Sequence, residues 1–200
     1  MNLPNKLSLI RMIIVPIMMF FYLANFVPYG KFIATGLFII GAITDFLDGY
    51  IARKHNLVTD LGKFLDPIAD KMLVTCALIL ICCDGTVPAP FGAIALAIFI
   101  GRDLAINMLR QVASTKGIVI AADKLGKYKT FAQDLALPVL MCFAGFLTLS
   151  SVNSLFMPTS TFMIVFGWIG FGLLIISTLL TVISLLYYLI KNRAVFIQNK

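Results

Sequence analysis

Asp45, Asp48, Asp66 and Asp70 stand within strongly apolar sequence, where acids are costly. A carboxylate at the centre of a membrane helix costs about 2.5–3.5 kcal/mol on insertion scales, so four demand water or counter-charge. Their spacing suggests the remedy. At about 100° per residue, Asp45, Asp48, Gly49 and Ala52 share an arc of about 100° on one helix. Gly62, Asp66 and Asp70 step by four residues and fall within about 80° on the next. The basic turn between them predicts an antiparallel hairpin whose acidic faces meet near one end. Four carboxylates carry −4 and two divalent cations +4, and an all-oxygen ligand set suits Mg²⁺, with Mn²⁺ as the alternative. Two such ions about 4 Å apart can hold the attacking and leaving oxygens of a phosphoryl displacement. Gly49 and Gly62 leave these faces open to a close-approaching ligand. Pro67 lacks an amide donor, so its helix either begins near there or kinks. Asp60 is off the pattern and reads as a loop charge. Any one of these acids could be a helix cap or an interfacial charge; the set points to chemistry.

The elements that must carry them are membrane helices. The chain has 200 residues, 60% hydrophobic and 12% charged, and no Glu, with mean hydropathy +1.00; soluble domains are roughly 25% charged. About 20 apolar residues cross a bilayer, and six stretches qualify: 8–27, 31–52, 63–83, 89–112, 131–150 and 161–190. The expected fold is all-α and integral to the membrane, a single domain over 1–200. An interfacial start, "NLPNKLSLIR", is expected to bend into the first span, with Lys6 and Arg11 near the headgroups. That span has no small-x-small cleavage site and contains Pro16, so it reads as retained. Of the basic residues, only Lys31 falls in the gaps near 25–31, 84–90 and 150–160. The positive-inside rule then puts both termini and the acidic hairpin in the cytoplasm, consistent with six spans.

A net charge of +7 suits a surface facing anionic lipid or substrates. Nucleic acid is excluded as a partner, for no basic-aromatic surface segment exists. Cys76, Cys82, Cys83 and Cys142 lie in or at the ends of apolar runs with no metal-ligand spacing, and read as packing residues. His55 reads as a loop residue. Arg102 and Arg110, eight residues apart, fall within about 80° on one helix. Lys127 and Lys129 begin the fifth span on the same membrane side. Arginine is suited to bidentate phosphate contacts, so these four form a candidate phosphate site; the alternative is that they only set topology, as Lys116 and Lys124 do. Asp103 could pair with a neighbouring cation and orient it.

Written out, the hairpin is Asp45-x-x-Asp48-Gly49-x-x-Ala52-Arg53, eight residues, Gly62-x-x-x-Asp66-x-x-x-Asp70. This resembles the signature of the CDP-alcohol phosphotransferases, with every fixed position filled. "NLPNKLSLIR", "GRDLAINMLRQVASTKGI" and "GKYKTFAQ" resemble the bacterial branch that makes phosphatidylglycerophosphate. The resemblance implies transfer of a phosphatidyl group from CDP-diacylglycerol to sn-glycerol-3-phosphate, with release of CMP. It implies metal ligation by Asp45, Asp48, Asp66 and Asp70, with Asp70 as base or as ligand alone. It implies that Asn5, Gly49, Ala52, Arg53 and Gly62 border the CDP-diacylglycerol, and that Arg102, Arg110, Lys127 and Lys129 hold the glycerol phosphate. A homodimer in the plasma membrane, multi-pass and open to the cytoplasm, is also implied. Other acceptors stay open: inositol phosphate, phosphatidylglycerol or serine. Outside the family, clustered intramembrane acids could mark a divalent-cation transporter, though no inverted repeat supports one. A membrane scaffold would leave the matched positions unexplained.

Overall fold

Buried positions along the first helix are Ser8, Arg11, Ile14, Val15, Met18 and Tyr22, a three-four spacing that marks one helical face. Its opposite face exposes Leu9, Ile10, Ile13, Ile17 and Phe20. A helix whose outer face is as apolar as its inner one has lipid for solvent. The computed structural model describes residues 3–55, 60–115, 124–152 and 161–192, and the side chains among them except those of 3–5, 46–55, 60–67, 70, 115, 124 and 150–152. Six helices follow in order: α1 Leu3–Leu23, α2 Gly30–His55, α3 Asp60–Cys83, α4 Ala89–Thr115, α5 Lys124–Val152 and α6 Thr161–Lys191. Four of them, α1, α4, α5 and α6, contain stretches long and apolar enough to cross a membrane; α3 contributes a shorter apolar run, Lys71–Cys83.

The helices overrun the expected spans at the end that carries the hairpin. α5 begins at Lys124 and α4 continues to Thr115, because helical hydrogen bonding persists into polar sequence where an apolar count stops. The bend expected after "NLPNKLSLIR" is replaced by unbroken helix from Leu3. Asp60, expected in a loop, is the first residue of α3, which therefore starts well before Pro67.

α3 is the hub, packing on α1, α2, α4 and α5, while α6 lies against α5 and α4. Small residues let α6 approach closely: its buried stripe is Met163, Gly167, Gly170, Leu174, Ser177, Thr178, Thr181, Ser184 and Tyr188. Gly167 lies on Phe143 and Gly170 on Leu140, so α5 and α6 run antiparallel. Tyr188, Ile106 and Leu109 form a small second core between α6 and α4.

The end of the bundle remote from the hairpin is tied by Asp84, between α3 and α4. Its carboxylate accepts hydrogen bonds from Tyr22 of α1 at 2.6 Å and Lys31 of α2 at 2.9 Å, and from Thr86. Burial alone would push the Asp84 carboxyl up, but the bonds from Thr86, Tyr22 and Lys31 outweigh it and hold the group below the usual carboxylate range. A depressed folded-state pKa stabilises fully above the unfolded value of about 3.9, and that contribution is lost as pH falls through the folded value. Asp84→Asn should therefore lower the melting temperature at pH 7, hydrogen bonds to a charge being worth about 1.5–3 kcal/mol. The gap to the parent should narrow below about pH 4. Thermal unfolding in detergent at both pH values checks this, and a gap of constant size would contradict it.

Candidate active site

α2 and α3 meet where Gly41 lies on Leu73; a Cβ at Gly41 would stand 2.9 Å from a Leu73 methyl. One turn further along α2 is Asp45, and one turn back along α3 is the fully buried Ala69. The acidic segments of both helices thus leave this crossing toward the same end of the bundle. The Asp45 carboxylate, 42% exposed, accepts a hydrogen bond at 2.6 Å from the Arg11 guanidinium, which is wholly buried. Arg11 thus turns into the bundle and pairs with Asp45, a contact its place in the sequence does not predict. The signal for its burial was available: Arg11 falls on the Ser8–Val15–Met18–Tyr22 stripe that α1 buries. Such a pair is held strongly, since removing either partner strands the other (about 3–5 kcal/mol).

Asp48, Gly49, Ala52 and Arg53 lie on the helical backbone of α2, Gly62, Asp66 and Asp70 on that of α3, and Asn5 on that of α1. Their side chains are outside the described residues. Among the described residues no group of three or more His, Cys, Asp or Glu is assembled. The four-residue step from Asp66 to Asp70 continues to Val74 and Leu78, and both of those line a cavity.

That cavity, about 410 Å³, lies between α3, α4 and α5. Its described polar lining includes Lys71 of α3, Arg102, Asp103 and Arg110 of α4, and Lys129 and Gln133 of α5. Asp103 is the pivot: its carboxylate receives Arg102 at 2.9 Å and Lys129 at 3.4 Å. Lys129 is buried and its ammonium lies 5.2 Å from the centre of the Phe99 ring, a cation–π contact. A Cβ at Gly126 would stand 2.9 Å from an Arg102 terminal nitrogen, so a side chain there would displace the guanidinium. The Nε of Arg102 is buried without a hydrogen-bond partner among the described residues. Arg110 donates to the Tyr188 hydroxyl at 3.0 Å. Three of the four basic residues picked out in the sequence, Arg102, Arg110 and Lys129, thus converge on this cavity; Lys127 is exposed and does not line it. Asp103 orients two of them, as its neighbourhood suggested. Lys71, Thr130 and Gln133 also line the cavity.

Among the described lining residues four cations are set against one acid, Asp103, which leaves a positive chamber suited to a small anion. An apolar-skinned helical bundle holding such a chamber beside an acidic hairpin has the build of a membrane protein with a charged site. A family model described as CDP-alcohol phosphatidyltransferase matches residues 1–190. The chain belongs to that family. It is 43% identical over 151 residues to the CDP-diacylglycerol–glycerol-3-phosphate 3-phosphatidyltransferase of Bacillus subtilis, covering 70% of this chain and 76% of that one. It is 38% identical over 140 residues to the protein of the same name from Rickettsia bellii, covering 70% and 75%. With CDP-diacylglycerol–glycerol-3-phosphate 3-phosphatidyltransferase 2 of Arabidopsis thaliana the identity is 35% over 209 residues, covering 99% of this chain and 82% of that one.

Proposed function

We propose that this enzyme transfers the phosphatidyl group of CDP-diacylglycerol to sn-glycerol-3-phosphate, yielding phosphatidylglycerophosphate and CMP. The observation that carries the acceptor is the chamber: Arg102, Arg110 and Lys129 converge on a space of about 410 Å³, large enough for a phosphorylated triol. The relatives from Bacillus subtilis, Rickettsia bellii and Arabidopsis thaliana carry the name of the same reaction, while a 37% identical relative from Oryza sativa is named cardiolipin synthase (CMP-forming).

The acceptor phosphate binds Arg102, Arg110 and Lys129, which leaves its free primary hydroxyl directed toward the α2–α3 hairpin. That hydroxyl attacks the phosphorus bearing the diacylglycerol. A new P–O bond forms to the acceptor, the P–O bond to CMP breaks with its electron pair going to CMP, and the hydroxyl proton passes to Asp70. Asn5, Gly49, Ala52, Arg53 and Gly62 border the nucleotide head of the donor, with Arg53 beside its diphosphate. Lys127, exposed on the first turns of α5, acts by drawing the anionic acceptor in.

The donor set fits divalent cations, Mg²⁺ first and Mn²⁺ as the alternative. Asp45 presents a half-exposed carboxylate whose described counter-ion is the Arg11 guanidinium, as expected of a site built to compensate positive charge. Asp45, Asp48, Asp66 and Asp70 would hold two such ions, and when bound these supply charge neutralisation and Lewis-acid polarisation of phosphoryl oxygens. All six helices cross the membrane in this reading, with Lys6, Arg53, Lys54, Lys63, Lys124 and Lys191 placing both termini and the site in the cytoplasm of a plasma-membrane protein. Assembly as a homodimer is carried over from the family resemblance.

The reading is tested with labelled sn-glycerol-3-phosphate. Label should enter the lipid fraction only when CDP-diacylglycerol is supplied, with one CMP released per label. Incorporation without CDP-diacylglycerol would rule out this donor.

A further inference from the structure

We infer that Ser184 and Tyr188 of α6 are positioning residues of the acceptor site, holding Arg102 and Arg110 in the orientation that receives the acceptor phosphate. This rests on the glycerol-phosphate reading of the chamber, and it adds to that chamber a helix that contributes no described lining residue. Ser184 and Tyr188 are one turn apart on the buried stripe of α6, 0% and 2% exposed. Each meets a different arginine. The Ser184 hydroxyl accepts a hydrogen bond from an Arg102 terminal nitrogen at 2.9 Å. The Tyr188 hydroxyl accepts one from Arg110 Nε at 3.0 Å, and the Tyr188 ring centre lies 5.7 Å from the guanidinium carbon.

The geometry divides each guanidinium between holder and ligand. Arg has five N–H donors in a fixed planar fork. At Arg110 the inner donor, Nε, is committed to Tyr188, so both terminal nitrogens are left for a bidentate contact with phosphate. At Arg102 one N–H of each terminal nitrogen is used, by Ser184 and by Asp103, which leaves the second N–H of each for a ligand; its buried Nε has no partner among the described residues. Two long side chains with many rotamers are thereby fixed before the acceptor arrives. Their ordering entropy is met in folding instead of in binding. α6 itself is held to α5 by its small-residue stripe, so the two hydroxyls are mounted on a rigid element.

The test is steady-state kinetics in detergent-lipid micelles with Tyr188→Phe, Ser184→Ala and Arg110→Ala. Tyr188→Phe keeps the ring and its burial and removes only the acceptor oxygen. It should raise the KM for sn-glycerol-3-phosphate about tenfold, the scale of one hydrogen bond to a charged group, and leave the KM for CDP-diacylglycerol unchanged. Ser184→Ala should do the same through Arg102. Inhibition by inorganic phosphate, competing with the acceptor, should weaken in parallel. In the Arg110→Ala background Tyr188→Phe should add almost nothing, since both act through one contact. A merely structural role would instead move both KM values or lower the melting temperature without a substrate-selective change. If Arg110→Ala raises the acceptor KM but neither Tyr188→Phe nor Ser184→Ala does, the positioning role is overturned and the chamber assignment stands. If Arg110→Ala leaves the acceptor KM untouched, the chamber assignment itself fails.

Discussion

Asp66→Asn should lower CMP release by about 10³-fold or more in protein that inserts and folds as the parent does. The substitution preserves shape and removes one negative charge from a set of four (Asp45, Asp48, Asp66 and Asp70). Against two divalent cations that leaves one positive charge uncompensated. In a partly desolvated site the imbalance costs several kcal/mol, and about 4 kcal/mol is about 10³-fold in rate. Stability should move the other way or not at all, because in the absence of cations the four carboxylates repel one another. Normal elution from a sizing column, an unchanged melting temperature and abolished turnover together are the expected result. Turnover within tenfold of the parent would remove Asp66 from the cation site.

Chelation should have an effect of similar size and be reversible. Activity should vanish with excess chelator and return with Mg²⁺ or Mn²⁺. Ca²⁺ should restore much less, since it prefers six to eight ligands at 2.3–2.6 Å whereas Mg²⁺ demands near-octahedral geometry at about 2.0–2.1 Å. A second readout is independent of catalysis. Cations that bind the native state alone raise its melting temperature with concentration, and Asp45→Asn, Asp48→Asn, Asp66→Asn or Asp70→Asn should each diminish that rise. Turnover that survives the chelator, or a melting temperature indifferent to Mg²⁺, would contradict a cation site at the hairpin.

Much of this was legible in the chain. The six helices follow from apolar runs broken by Pro, Gly, Asn and Asp, and the acidic hairpin from a spacing that helical geometry turns into two faces. Arg102, Arg110 and Lys129 were legible too, because a charge kept within an apolar run must be doing something that offsets its cost. What the sequence hid was which helices are neighbours. Arg11 meets Asp45 because α1 packs on α2, and Asp84 gathers Tyr22 and Lys31 from two other helices. Ser184 and Tyr188 reach the arginines because α6 lies against α4. A lone hydroxyl in an apolar span has no spacing to read, for serine and tyrosine are ordinary residues there; its meaning comes only from the side chain opposite. The helix ends were misjudged for a simpler reason: hydropathy locates the hydrocarbon, while hydrogen bonding carries a helix some turns beyond it.

The most direct measurement of the central claim is CMP release by the purified protein from CDP-diacylglycerol with one acceptor at a time. The acceptors are sn-glycerol-3-phosphate, inositol phosphate, serine and phosphatidylglycerol. Release should be rapid with sn-glycerol-3-phosphate, slower with inositol phosphate and phosphatidylglycerol, and slower by about 100-fold or more with serine, which leaves the cations of the chamber unmatched. Faster release with any other acceptor, or none with all four, would contradict the account.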